Sequence, residues 1–303
     1  MGSAGFAVPS LQALLQSKHE ILEVVTQPDK PAGRGRHITP CPTAQFAKEH
    51  DLILYQPKSV KKAEAIDHLK NLAPDLIAIV AYGKILPKAI LDLPQMGCVN
   101  VHSSLLPKYR GAAPINWAIV NGETETGVTT MRINEEMDAG DILLACKTQI
   151  DETEDAILLH DRLAPLGAEL LLKTLDGIED NSIKQLPQDH SQASYARIIK
   201  KEDGHIDWSK GADEIYNMMR GFKPWPGTYT SLDGKMFRIH EAAPHLEDSK
   251  HPAGSIIEND NYIAVACGKG VLFLIEVQIE GKKRMSATDF LKGHKIEKGT
   301  VLR

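Results

Sequence analysis

Between Glu20 and Leu175, short apolar runs alternate with stretches of helical periodicity. That alternation restricts the chain to an open α/β sheet more tightly than any other feature. Strands are expected at Glu20–Thr26, Leu52–Tyr55, Asp75–Ala81, Cys98–His102, Gly127–Ile133 and Ile142–Ile150. Helices are expected at Pro9–Lys18, Thr43–His50, Val60–Asn71, Ala113–Asn121 and Glu154–Leu175, the first with proline near its start. A Gly/Pro-rich basic loop covers Gln27 to Pro42. Sheets of this kind bind ligands at the carboxyl ends of their strands. Ala81-Tyr82-Gly83 and His102 fall at two such ends.

Two short strings carry the side chains suited to chemistry. In Asn100-Val101-His102 the alternation of a strand turns Asn100 and His102 to one face. Met137-Asp138-Ala139-Gly140-Asp141 is a glycine-containing turn between two strands. An amide donor, an imidazole and a carboxylate suit attack of an amine on a carbonyl carbon. The amide holds the oxyanion, the imidazole shuttles a proton, and the carboxylate orients the imidazole. Asn100, His102 and Asp138 are therefore the candidate catalytic residues, and a substrate bringing its own amine needs no Ser or Cys nucleophile. The bland alternatives are a partly buried strand-end histidine and a plain Asp-Gly turn. Asp138 and Asp141 alone do not make a metal site, and no metal is expected.

The run from Asn100 to Pro114 (NVHSSLLPKYRGAAP), Gly127-Val128-Thr129 and the Met137–Asp141 string resemble the formyltransferases that use 10-formyltetrahydrofolate. Further matches are Phe6–Pro9, Thr26–Gly35, Val80–Gly83, Phe222–Pro226 and Gly281–Ala287. The Pro-Ala-Gly-Arg-Gly loop and the C-terminal strings narrow the resemblance to the branch acting on methionyl-tRNA. The resemblance implies a Rossmann-like open-sheet formyltransferase domain over residues 1–182. It implies a small OB-like β-barrel domain over residues 204–303, a fold often used to hold nucleic acid. It also implies 10-formyltetrahydrofolate as co-substrate, held by Ala81, Tyr82, Gly83, Ile85 and Leu86 with Asp141 of the 137–141 loop. Ser104, Leu105, Leu106 and Pro107 would shape the adjacent wall. Initiator methionyl-tRNA is the implied partner, with Lys30, Arg34 and Arg36 on its acceptor end, and Phe6 is a candidate for the methionyl pocket. The loop lacks the Gly-Lys-Ser/Thr ending of a P-loop.

The C-terminal third agrees in outline. The polar segment Ile183–Asp203 reads as a linker. A helix at Ala212–Met219 then precedes strand-like runs at Phe237–His240, Ser255–Ile257, Tyr262–Cys267 and Val271–Gln278. The formal net charge is −5, but Lys201 to Arg303 carries 15 basic and 15 acidic side chains. A neutral unit of this kind can still present a basic stripe, and Lys282-Lys283-Arg284 and Lys292–Lys298 are the candidates. The 303 residues suit two domains. Cys41, Cys98, Cys146 and Cys267 lie far apart with no Cys-x-x-Cys pair, which fits a reducing cytosol. No run has the length of a membrane span and the N-terminus lacks a basic-then-apolar signal, so a cytoplasmic location is expected; a monomer is the expected state.

Other readings use the same residues. A formyltransferase acting on an amino-sugar nucleotide and a formyltetrahydrofolate hydrolase share the superfamily. A non-catalytic RNA-binding protein would not need Asn100, His102 and Asp138 together. A nicotinamide dehydrogenase would need a Gly-x-Gly-x-x-Gly after a strand, and none is present. One departure stands out: relatives carry a strand before the turn that corresponds to Met1–Gly5. Met1 is accordingly expected to be an internal methionine of a longer protein. The strands flanking the missing one would face a gap and lose ladder partners.

Overall fold

The computed structural model describes residues 1–32, 37–258 and 262–303. Two compact units emerge. The first comprises Met1–Pro114, Glu125–Gln149 and Leu159–Arg197; the second comprises Ile115–Thr124, Ile150–Leu158 and Ile198–Arg303.

The first unit is α/β. Its main sheet has the order Ile77–Val80, Cys98–His102, Glu125–Arg132, Ile142–Gln149. The first pair is parallel and the others antiparallel. Val99 and Val101 are buried on one face of the second strand, which leaves Asn100 and His102 to the other. The helix Ala156–Glu179 buries Leu159, Leu163 and Leu171, residues four apart or a multiple of four, and so on one face. Near Gly167 it runs so close that an added Cβ would meet Val101 at 3.0 Å.

Three local expectations change. The strand expected over Glu20–Thr26 contracts to Val24–Val25, because its parallel partner Leu54–Tyr55 offers only two ladder positions. The Gln27–Pro42 loop contains an antiparallel pair, Lys30–Ala32 with His37–Thr39. Residues 183–197, polar in sequence, carry ladder bonds: Leu186 bridges Ile142, and Tyr195–Ala196 runs parallel to Arg110–Gly111.

Met1–Ser3 runs between Val24–Val25 and Ile77–Val80, with Gly2 in a parallel bridge to Val80. Gly2 N–H donates to the Val25 carbonyl at 3.0 Å and Val80 N–H to the Met1 carbonyl at 2.9 Å. The Met1 ammonium donates to the Ala78 carbonyl at 2.6 Å. Burial lowers its pKa to about 6. A cavity of about 330 Å³ lies alongside, lined in part by Leu11, Val24, Val25, Ile77 and Ala78.

The second unit is built on a curled antiparallel sheet in the order Thr228–Leu232, Lys235–His245, Val271–Ile279, Ile263–Ala266, Ile256–Glu258. Met285–Ser286 also pairs with the third of these. Register shifts between Ile239 and Ala242 mark a bulge, which bends the strand and helps the sheet curl. Phe237, Phe290, Ile215, Phe222 and Leu272 are buried in its core, with the Phe237 and Phe290 rings 5.2 Å apart. Among the described residues no helix is long and apolar enough to cross a membrane.

Candidate active site

The strand Cys98–His102 delivers Asn100 and His102 to its carboxyl end. Its neighbour is in register with Val80 opposite Val101, so Ala81 leaves the sheet beside His102. On the other side His102 pairs with Thr129. His102 is 6% exposed. Its Nε2 lies 2.9 Å from the Tyr109 carbonyl, which can only accept, so Nε2 carries a hydrogen. Nδ1 is then the position open to a second proton. Asp138 Oδ2 stands 3.7 Å from it. That separation exceeds a hydrogen bond but suits an ion pair, and catalytic contacts commonly tighten only when substrate binds.

Asp138 is itself fixed. Its Oδ2 accepts from the Gly111 N–H at 2.8 Å. Its backbone is left-handed, with φ 49°, a conformation that aspartate tolerates better than most residues. The turn that carries it lies hard against the end of the Glu125–Arg132 strand: a Cβ on Gly140 would meet the Arg132 carbonyl at 2.0 Å. Only glycine allows that approach. Asn100 is half-buried, and among the described residues its amide has no hydrogen-bond partner. Asn100, His102 and Asp138 thus stand at one strand end, offering a donor, a proton carrier and a carboxylate.

The candidate folate residues surround this point. Ala81 and Gly83 are left-handed, with φ 45° and 72°, so the segment turns sharply as it leaves the strand. Gln27 Nε2 donates to the Tyr82 carbonyl at 2.7 Å and braces that turn. Tyr82 and Leu86 are buried, whereas Ile85 is 71% exposed. Ser104 is fully buried and donates to the Lys108 carbonyl at 2.6 Å. Leu105 is half-buried and Leu106 buried. Leu106 N–H donates to Thr129 Oγ1, which donates in turn to the Ser104 carbonyl. A peptide bond in the cis form joins Leu106 to Pro107. The Asp141 carbonyl accepts from Arg132 N–H, which ties the turn to the sheet.

The remaining candidates are spread more widely. Phe6 packs in the core of the first unit, 6% exposed, its ring edge-on to His160. Lys30 is exposed and donates to Gln27 Oε1. Arg34 and Arg36 lie outside the described residues. In the second unit Lys282, Lys283 and Arg284 are on the surface, with Arg284 paired to Glu276. Among the described residues no three His, Cys, Asp or Glu side chains converge in metal-binding geometry.

Sequence reasoning missed Tyr109, Thr129, Arg110 and Gln188. Tyr109 and Gln188 act through a backbone carbonyl and an amide, which have no catalytic signature in sequence. Gln188 also sits in a segment whose polarity read as a linker.

Comparison with known proteins gives two family matches along the chain. Residues 1–175 match the family model for formyl transferase, and residues 198–295 match that for the formyl transferase C-terminal domain. A methionyl-tRNA formyltransferase from Caldanaerobacter subterraneus subsp. tengcongensis is 48% identical, over 100% of this chain and 98% of its own. One from Pelobacter propionicus is also 48% identical, covering 100% and 94%, and one from Geobacter sulfurreducens 45%, covering 100% and 95%. Among solved structures, a sugar 3N-formyl transferase with dTDP and 5-N-formyl-THF superposes with a TM-score of 0.67 at 23% identity, covering 93% of this chain and 97% of that one. An N-formyltransferase from Helicobacter canadensis with folinic acid and dTDP-3-aminofucose gives 0.66 at 20% identity, covering 90% and 96%. At these identities the structural likeness speaks for the fold alone.

Proposed function

The chain belongs to the methionyl-tRNA formyltransferase family, and we propose that it transfers the formyl group of 10-formyltetrahydrofolate to the α-amine of methionyl initiator tRNA. The observation that carries the chemistry is the placement of Asn100, His102 and Asp138 at the end of one strand, with the His102 tautomer fixed by the Tyr109 carbonyl. The near-full-length identity to methionyl-tRNA formyltransferases carries the substrate.

The strand-end turn fits the folate. Its left-handed residues Ala81 and Gly83 are exposed, and Ile85 adds an exposed apolar side chain. Ala81 to Leu86, Ser104 to Pro107 and Asp141 would hold the pterin. When bound, the folate supplies a formyl group on a nitrogen that can leave. The incoming α-amine forms a bond to the formyl carbon. Asn100 donates its amide N–H to the oxygen on which charge develops, the term that usually contributes most to acyl transfer. His102 adds a second donor through Nδ1–H when protonated, with Asp138 pairing to it. With both His102 nitrogens carrying hydrogens, the proton shed by the amine passes to the Asp138 carboxylate and from there to the leaving nitrogen, so the pair ends the cycle as it began.

Lys30, Arg34, Arg36, Lys282, Lys283 and Arg284 would contact phosphates. Such binding releases counterions and weakens steeply with salt. The test is transfer of labelled formyl from 10-formyltetrahydrofolate to methionyl initiator tRNA, beside His102→Ala. Transfer by the parent, lost in the variant and falling with salt through KM, is expected. A parent that transfers nothing to this tRNA, or a His102→Ala enzyme with normal turnover, overturns the reading.

A further inference from the structure

Residues 188–196 return to the site and touch three of its fixed points. Tyr109 N–H donates to Ser194 Oγ at 2.9 Å. Arg110 N–H donates to the Ser194 carbonyl and Ala112 N–H to the Ala196 carbonyl, each at 2.8 Å. This ladder holds Tyr109, whose carbonyl sets the His102 tautomer, and Gly111, whose N–H holds the Asp138 carboxylate.

Gln188 acts on the same aspartate from behind. Its side chain is 5% exposed. Nε2 donates to the Asp138 carbonyl at 2.9 Å and to the Gly140 carbonyl at 2.7 Å. Oε1 accepts from Arg110 Nε at 3.1 Å and from Arg110 Nη2 at 2.7 Å. Both donors and both lone pairs of the amide are therefore used. A guanidinium only donates, so Oε1 must face Arg110 and the NH₂ must face the two carbonyls. Arg110 is 2% exposed, and its Nη1 lies 3.4 Å from His190 Nδ1. A buried amide saturated in this way defines one geometry and penalises every other.

We propose that Gln188 is a positioning residue for the formyl-transfer reaction: oriented by Arg110, it clamps the Asp138–Gly140 turn so that the Asp138 carboxylate stays beside His102 Nδ1. The inference rests on the catalytic reading of Asp138 given above. The carboxylate stands 3.7 Å from Nδ1 with a single backbone N–H as its own anchor, so it relies on the backbone beneath it being held. Displacement of a catalytic group by about 1 Å can cost on the order of a hundredfold in rate.

The test is Gln188→Glu in the full chain, assayed for kcat and KM with 10-formyltetrahydrofolate and methionyl initiator tRNA. Glutamate keeps acceptors for Arg110, so the fold and Tm are retained, but it loses both donors and sets oxygen against the two carbonyls. A tenfold to hundredfold fall in kcat is expected, with KM for the tRNA within twofold. Because Gln188 works through Asp138, adding Gln188→Glu to Asp138→Asn should cost less than a further twofold. A merely structural role would lower Tm and make the two losses multiply. If the glutamate variant does not fold, Gln188→Met removes the same donors without adding charge, and the same loss of kcat is expected. A parent-like kcat in the folded variant, or multiplicative losses, refutes the clamp while an inactive Asp138→Asn leaves the catalytic reading standing. Full activity in Asp138→Asn refutes that reading and the clamp with it.

Discussion

Gly140→Ala is the smallest change that should separate Asp138 from His102. The Cβ would stand 2.0 Å from the Arg132 carbonyl oxygen and 2.9 Å from its carbon. Both are backbone atoms of a strand paired on either side, so neither can swing away. The turn itself has to withdraw by about 1.4 Å before the contact reaches the 3.4 Å of ordinary van der Waals approach. The penalty is steric, since Gly140 is absent from the positive-φ residues. Asp138 lies two residues away in the same turn, and its carboxylate is already 3.7 Å from His102 Nδ1. A retreat of that size away from the imidazole takes the carboxylate out of ion-pair reach. The expected loss in kcat is about a hundredfold, the scale for a 1 Å misplacement. The strain should also cost about 1–3 kcal/mol, read as a Tm lower by several degrees. Steady-state formyl transfer measures the first effect and thermal unfolding the second. Parent-like kcat with unchanged Tm would show that the turn accommodates a methyl group, and the argument from close approach would fail.

Asn100→Ala and His102→Ala should each lose on the order of a hundredfold or more in kcat while folate binding, followed by fluorescence titration, stays within a fewfold. Parent-like turnover in either variant removes that residue from the mechanism. Burial pushes the Cys98 thiol up to about 11 and the Cys267 thiol up to about 12, so both should react slowly with an aromatic disulfide reagent at pH 8. The half-buried Cys41 and Cys146 should react first, and four equally fast thiols would contradict the burial. With Met1 retained as first residue, burial holds its ammonium pKa at about 6, below the ordinary α-amino value of about 8. The unfolded chain then binds more protons between those values, so stability should rise with pH from about 6 to 8, by about 3 kcal/mol. Denaturant titrations showing no rise in that window, or one that survives blocking of the amine, would refute the assignment.

The elements found by periodicity are those whose burial follows a single face. Cys98–His102 and Val271–Ile279 alternate or run apolar because each lies in a sheet with partners on both sides, and Ile77–Val80, an edge strand bridged at Val80 by Gly2, runs apolar because three of its four residues are buried. Thr228–Leu232 was not expected, although its signal was present: Asp233-Gly234 forms the two-residue turn joining it to Lys235, both with positive φ. Glu20–Thr26 misled in the other direction. Apolar content was sufficient for a strand, but strand length is set by the partner, and Leu54–Tyr55 is short.

For the site, sequence alone determined which chemistry is possible. Asn100 and His102 two apart on a strand, and Asp138 in an Asp-Ala-Gly turn, follow from residue type and period. Tertiary structure decided what makes those groups usable. The Tyr109 carbonyl fixes the imidazole hydrogen, the Gly111 N–H fixes the carboxylate, and Gln188 secures the turn from a polar stretch nearly fifty residues on. Each of these contacts uses a backbone group or a buried amide. Every residue has such a backbone, and its direction is set only by the fold, so local sequence cannot show where it will point.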